Sequence, residues 1–243
     1  MTDNKSVAIR IRGVSKKYIL HHEKPTLAEK LTSKKSEVFT ALKNVNLEIY
    51  KSENVGIIGP NGSGKTTLLK IIAGITSPTK GGVETFGRIV SLIDLEAGFH
   101  PDLTGEQNIF LNGMLLGLKK RELQSKMSEI INFSGLHKFI DTPLYTYSDG
   151  MKLRLGFSIA VNADPDILIL DENIYTSDLE FQIKVEARLH TYFNTQKTVI
   201  VVSHWLDFIK MNCKRTIRFE RGKVIADGVS KKIIAAYKKK YIS

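Results

Sequence analysis

Three glycines within six residues, followed at once by a lysine and two threonines, leave little freedom for how this chain folds around them. The stretch is Gly59-Pro60-Asn61-Gly62-Ser63-Gly64-Lys65-Thr66-Thr67. It fits the pattern of glycine, four residues, glycine, lysine, then serine or threonine. Before it, Val55-Gly56-Ile57-Ile58 reads as a buried strand. After it, Leu68-Leu69-Lys70-Ile71-Ile72-Ala73 has helical character, and Gly74 is placed to end that helix. Glycine backbone curls round an anion without a Cβ in the way. The N–H groups of such a loop, and of the helix that follows it, present partial positive charge. Lys65 is placed to reach the β- and γ-phosphates of a nucleoside triphosphate, and Thr66 to offer its hydroxyl to Mg²⁺. A Gly-rich turn with a chance lysine would lack the flanking strand and helix.

Two further runs, Ile167-Leu168-Ile169-Leu170 and Thr198-Val199-Ile200-Val201-Val202, are unbroken and aliphatic or β-branched. Such runs suit parallel strands covered on both faces. The helical pattern of residues 178–193 between them predicts a β-α-β unit. Asp171-Glu172 ends the first run, at the edge where parallel sheets receive ligands. Asp171 is a candidate Mg²⁺ holder through water, paired with Thr66. Glu172 is placed as the general base on an attacking water. His204 ends the second run and is a candidate to bond the γ-phosphate and orient that water. Tyr147-Ser148-Asp149-Gly150-Met151-Lys152, a small turn ahead of a helix, is a second anion-binding candidate.

The remaining pattern divides the chain. Residues 8–12 alternate apolar and basic as a half-exposed strand, which Gly13 is expected to break. Residues 20–37 are polar, with a short helix predicted from the capping box Thr26-Leu27-Ala28-Glu29. Strands are expected at 39–42, 45–49 and 88–93, and a closing hairpin at 216–219 and 223–226. Helices are predicted from the capping box at Thr104 through Leu115, over 119–133, over 151–161, and from Ser230 to the end. The expectation is one α/β domain over 1–243, with a core at 1–94 and 163–243 and an inserted helical subdomain at 95–162.

Composition narrows the class. Of 243 residues, 42% are hydrophobic and 25% charged, an ordinary globular balance. The single cysteine, Cys213, permits no internal disulfide and fits a reducing compartment. The N-terminal residues do not form a signal peptide, and no apolar run approaches the ~20 residues of a membrane span; the chain by itself is expected to be soluble. The net charge of +11 is spread along the chain, with a concentration at Lys231, Lys232, Lys238, Lys239 and Lys240. A solvated surface is one reading of this charge and attraction to acidic lipid head groups another. No basic stretch interleaved with aromatics marks a nucleic-acid groove.

The order of Tyr18, the phosphate loop, Ser148-Asp149-Gly150-Met151-Lys152, Asp171-Glu172, Asp178 and His204 resembles the ATP-binding cassette ATPases. The resemblance covers essentially the whole chain. Residues 97–105 with Asn108-Ile109, the Tyr-Ser-x-Gly-Met signature, the insertion after Tyr18, and Ala226-Asp227-Gly228 with Ala236-Tyr237 look like the subunits that energise export of O-antigen, capsule or teichoic-acid polymers. The resemblance implies a P-loop ATPase with a RecA-like core, an N-terminal antiparallel β part and an inserted helical subdomain. It implies ATP and Mg²⁺ as ligands. Two copies would sandwich two ATP molecules, with Tyr18 on adenine and Ser148, Asp149, Gly150 and Met151 reaching the γ-phosphate across the dimer. Asp178 would couple the two sites. A separate transmembrane permease would carry a lipid-linked polysaccharide, with this subunit on the cytoplasmic face of the membrane. The chain stops soon after the cassette, so no C-terminal carbohydrate-binding domain is expected. Nucleic acid is not the expected partner, because cassettes acting on it or on ribosomes usually carry a second cassette or a long coiled-coil insertion. A cassette of weak turnover is the other alternative. Asp149 stands where the family usually has glycine or serine, and suits a phosphate opposite only if it points away or pairs with a lysine such as Lys152. Leu95 or Glu96 stands where a metal-sensing glutamine is usual, and Glu96 is the candidate.

Overall fold

A computed structural model describes residues 6–20, 37–171 and 178–241. A three-stranded antiparallel sheet is built from β1 (Val7–Leu20), β2 (Glu37–Tyr50) and β4 (Lys80–Thr85), in the order β2-β1-β4. A six-stranded sheet contains β3 (Asn54–Ile58), β5 (Ile89–Ser91), β6 (Ile167–Leu170), β7 (Thr198–Val202), β8 (Arg215–Glu220) and β9 (Lys223–Val229). Its order is β5-β6-β7-β3-β8-β9, parallel throughout except for the antiparallel pair β8–β9.

The aliphatic runs explain why this sheet lies at the centre. Side chains alternate between the faces of a strand, so an unbroken apolar run needs cover on both sides. Ile167, Ile169, Ile200 and Val202 enter one core, shared with β1, β2 and α1 (Lys65–Ile72). Leu168, Leu170, Val199 and Val201 enter the other. That second core holds α2 (Gly105–Leu115), α3 (Lys120–Ser134), α4 (Asp149–Asn162) and α5 (Leu179–Phe193). Phe133, Phe157 and Phe181, from α3, α4 and α5, meet with ring centroids 5.8–5.9 Å apart. Thr104 caps α2 as its capping box predicts: its hydroxyl accepts from the Gln107 N–H, and Gln107 Oε1 accepts from the Thr104 N–H. Short α6 (Leu206–Asn212) and the final α7 (Ser230–Tyr241) complete the chain. Among the described residues, no helix is long and apolar enough to cross a membrane.

Several expectations need amendment. Gly13 does not end the first strand; it sits at φ 60 within a stretch of shifted register, and β1 continues to Leu20. The strands expected at 39–42 and 45–49 are one strand, passing through Asn44 at φ 50. β4 is largely exposed, polar and Gly-rich, and is held by backbone pairing to β1, so it carries no apolar pattern to read. α6 is too short for a periodic signal. α4 begins at Asp149, two residues before the predicted start, because Ser148 caps it. The helix predicted around Thr26 lies outside the described residues.

The aromatic triad yields a stability prediction. Phe157→Ala removes a fully buried ring and is expected to cost about 3–5 kcal/mol in denaturant unfolding. A loss below about 1 kcal/mol would show that the helices do not depend on this contact.

Candidate nucleotide site

Parallel strands bring their carboxyl ends to one edge, and three ends meet here. β3 and β7 are neighbours, and β6 lies beside β7. The loop after β3, Asp171 after β6 and His204 after β7 therefore face one cavity of about 270 Å³, although they are far apart in sequence. Its walls are Asn61 to Thr67 of the loop, Asp171, Val202 and His204, with Phe39 and Ala41 from β2.

The loop is shaped by backbone packing. Gly64 has φ 103, and a Cβ there would lie 2.6 Å from the Ala41 carbonyl oxygen. A Cβ on Gly59, at φ 153, would overlap the Phe219 carbonyl. Neither position accepts an L side chain without moving another strand. Lys65 Nζ donates to the Gly59 and Pro60 carbonyls at 2.8 and 3.1 Å, which folds the side chain over the loop. The first turn of α1 has no side-chain cap and no acidic residue. Ser63 Oγ is buried without a hydrogen-bond partner among the described residues. Uncapped amides, an ammonium and an orphaned hydroxyl in one concavity fit a phosphate chain. The same wall offers Asp171, which is buried, and the Thr66 hydroxyl. Among the described residues, no group of three or more His, Cys, Asp or Glu side chains converges to hold a metal. A cation at this wall would rest on one carboxylate, one hydroxyl, water and substrate oxygens, the habit of Mg²⁺.

Other predicted residues lie elsewhere. Tyr18 does not line the cavity. It pairs with Phe39 across the β1–β2 ladder, its ring 5.0 Å from Lys16 Nζ, while Phe39 forms the cavity wall. The sequence signal for Phe39 was an exposed aromatic at a strand start, 47% accessible here. Glu96 is exposed in the turn after β5 and does not reach the cavity. Glu172 lies outside the described residues. Ser148, Asp149, Gly150 and Met151 form the start of α4 and do not line the cavity either. Ser148 Oγ accepts from the Met151 N–H at 3.3 Å. Asp149 is 95% exposed and pairs with Lys152 Nζ at 3.3 Å.

Asp178 caps α5: Oδ1 accepts from the Phe181 N–H at 3.0 Å, and Oδ2 pairs with Arg154 Nη1 at 3.2 Å. The Phe181 N–H first, then the Arg154 charge, hold its carboxyl below the usual carboxylate range. Arg154 Nε also donates to the Ser134 carbonyl, so one guanidinium joins the ends of α3 and α5 to α4. Cys213 is buried, and burial pushes its thiol up to about 12, which keeps it protonated and unreactive.

Comparison with known proteins gives this arrangement its class. A family model described as ABC transporter matches residues 42–174, more than half of the chain. An O-antigen export system ATP-binding protein, RfbB of Klebsiella pneumoniae, is 38% identical over 95% of this chain and 97% of its own length. RfbB of Myxococcus xanthus is 44% identical over 87% of this chain, which spans only 48% of that relative. The teichoic acids export ATP-binding protein TagH of Enterococcus faecalis is 40% identical over 96% of this chain and 53% of its own length. Among solved structures, a dimeric ATP-binding cassette in a post-hydrolysis state with ADP and Pi superposes with a TM-score of 0.70, at 24% identity over 91% of this chain and 98% of its own. The chain belongs to the ABC transporter family, and its fold is that of an ABC-type P-loop ATPase with an inserted helical subdomain.

The cap and the ion pair at Asp178 separate by substitution. Asp178→Ala loses both and is expected to cost about 1–2 kcal/mol in thermal unfolding. Asp178→Asn keeps an acceptor for the cap and is expected to cost less than about 1 kcal/mol. Equal losses would assign the effect to Arg154. Because the folded pKa is depressed, this stabilisation is present above the usual carboxylate pKa and is lost as pH falls through the folded value.

Proposed function

We propose that the chain is the ATP-binding and ATP-hydrolysing subunit of an exporter of a lipid-linked polysaccharide. It works as a pair of copies on the cytoplasmic face of the membrane, beneath a separate transmembrane permease. The observation that carries the reading is the convergence of the phosphate loop, Asp171 and His204 on one cavity, in a chain whose full-length relative is an O-antigen export ATP-binding protein. Relatives in O-antigen and in teichoic acid export leave the polymer open.

In this reading the 1–94 and 163–243 core holds the nucleotide, and the 95–162 helices carry the signature turn. Gly59 to Thr67 wrap the phosphates, and Lys65 turns from the loop carbonyls to the β- and γ-phosphates. Thr66 and Asp171 would hold Mg²⁺, which would neutralise charge on the phosphate oxygens. Glu172 takes the proton of the attacking water, and His204 holds that water or the γ-phosphate in line. Phe39, in the cavity wall, stacks on the base in place of Tyr18. Ser148 to Met151 of a second copy complete the site, with Asp149 turned aside onto Lys152. Asp178, locked to α4 through Arg154, ties each copy's signature turn to its own hydrolytic strand.

Purified protein tests these roles. Lys65→Ala is expected to lower ATP affinity about a hundredfold in a fluorescent-nucleotide titration. Retained binding would remove the loop from the site. Glu172→Gln is expected to bind ATP, slow phosphate release by at least about 10²-fold and accumulate as a dimer in size-exclusion chromatography. Turnover at the parent rate would require another base. Phe39→Ala is expected to weaken ATP binding roughly tenfold, against little change for Tyr18→Ala. The reverse order would return the base to Tyr18.

A further inference from the structure

The phosphate loop is gripped from outside by the hairpin β8–β9, and that hairpin is gripped in turn by α7. β8 runs parallel to β3, with Arg218 beside Ile58, the last residue before the loop. The next residue, Phe219, lays its carbonyl against Gly59. The Arg221–Gly222 turn follows, and the Gly222 N–H donates to the Ser63 carbonyl at 2.9 Å. The two ends of the loop are thus held by residues 219 and 222. The Lys43 N–H donates to the Gly222 carbonyl at 2.8 Å, which ties the same turn to β2.

The side chains on either side of Phe219 engage α7. Arg218 is nearly buried, with its guanidinium 5.7 Å from the Tyr237 ring and 5.5 Å from the Tyr241 ring. Its Nη2 donates to Glu220 Oε2 at 2.7 Å. Lys240 Nζ donates to both Glu220 oxygens, at 3.2 and 3.0 Å. Lys240, Arg218 and Tyr241, in that order, hold the Glu220 carboxyl down to about 2. It therefore stays ionised at any pH where the protein is assayed. Two tyrosines and a lysine on the last turns of α7 fix two residues of β8, and the carbonyl between those residues abuts the loop.

We propose that Arg218 and Glu220 are positioning residues for the phosphate loop, and that the last turns of α7 set the loop's shape through them. The proposal rests on the nucleotide-binding reading above. If α7 releases Glu220, the Arg221–Gly222 turn is freed and Ser63 loses its partner in the hairpin. The loop amides are then less well ordered for a phosphate chain, while the residues that act on water are untouched. Affinity falls and turnover at saturation does not, the signature of lost uniform binding.

Steady-state ATPase assays on the full chain separate the possibilities. Glu220→Gln and Lys240→Ala are each expected to raise KM for ATP about three- to tenfold, with kcat unchanged. Lys240 is exposed, so its replacement does not threaten folding, and thermal unfolding is followed in parallel for both. The double variant Glu220→Lys with Lys240→Glu restores one ion pair and is expected to recover part of the KM. Amide hydrogen exchange at residues 61–64 is expected to quicken in both single variants. If KM and exchange stay at parental values while Lys65→Ala abolishes ATP binding, the positioning role is overturned and the nucleotide site stands. If Lys65→Ala leaves ATP binding intact, the nucleotide reading itself fails. Equal falls in kcat and in melting temperature, with KM unchanged, would reduce α7 to a general stabiliser and overturn the proposal.

Discussion

Backbone packed on backbone shapes the phosphate loop, and the rest of the molecule is arranged to allow it. The carbonyls of Ala41 and Phe219 close on Gly64 and Gly59 from two different sheets, and the Gly222 N–H closes on Ser63 from a third segment. Such contacts are insensitive to side-chain identity except where a Cβ would intrude. The fold has only to deliver three strands to one place. The loop then turns its amides outward, where α1 adds an uncapped first turn and Lys65 an ammonium. Backbone held in this way on several sides leaves less of the loop to be ordered on binding.

Delivering those strands is the task of the two-faced sheet. Its aliphatic runs are buried on both sides, one face against the antiparallel sheet and α1, the other against the helices. Register is firmly set in such strands, because a one-residue slip would exchange every side chain between two differently shaped cores. The carboxyl ends of β3, β6 and β7 consequently arrive level with one another. Asp171 and His204 reach the loop as a consequence of strand order, without any local sequence signal linking the three.

That division explains what could be read in the residues. The loop, the buried strands, the cap at Thr104 and the closing hairpin all have short-range chemistry and are legible at once; the cap that Asp178 places on α5 appears only in the fold. β4 was not, since it is polar, Gly-rich and held by backbone pairing alone. Nor was the continuation of β1 past Gly13, where shifts of register carry the strand through residues that look like a break. The aromatic of the cavity wall is the instructive case. Tyr18 and Phe39 lie directly across from each other in the ladder, but an insertion separates them in sequence, so only the pairing register places Phe39 in the cavity wall. Asp149 was legible as an anomaly, and its ion pair with Lys152 follows from i, i+3 spacing on one helix.

The lysine-rich end of the chain has a use in the fold. Read as sequence, Lys238, Lys239 and Lys240 form a run suited to an anionic surface. In the fold, Lys238 reaches Asp207 of α6 and Lys240 reaches Glu220 of β8, so both help to join α7 to the core. Exposed pairs of this kind contribute little to stability one by one. Their value lies in direction, since Lys240 fixes where α7 sits against a strand whose neighbouring carbonyl supports the phosphate loop, and Lys238 fixes where it sits against α6. Two lysines of one run thus go to carboxylates on two different elements.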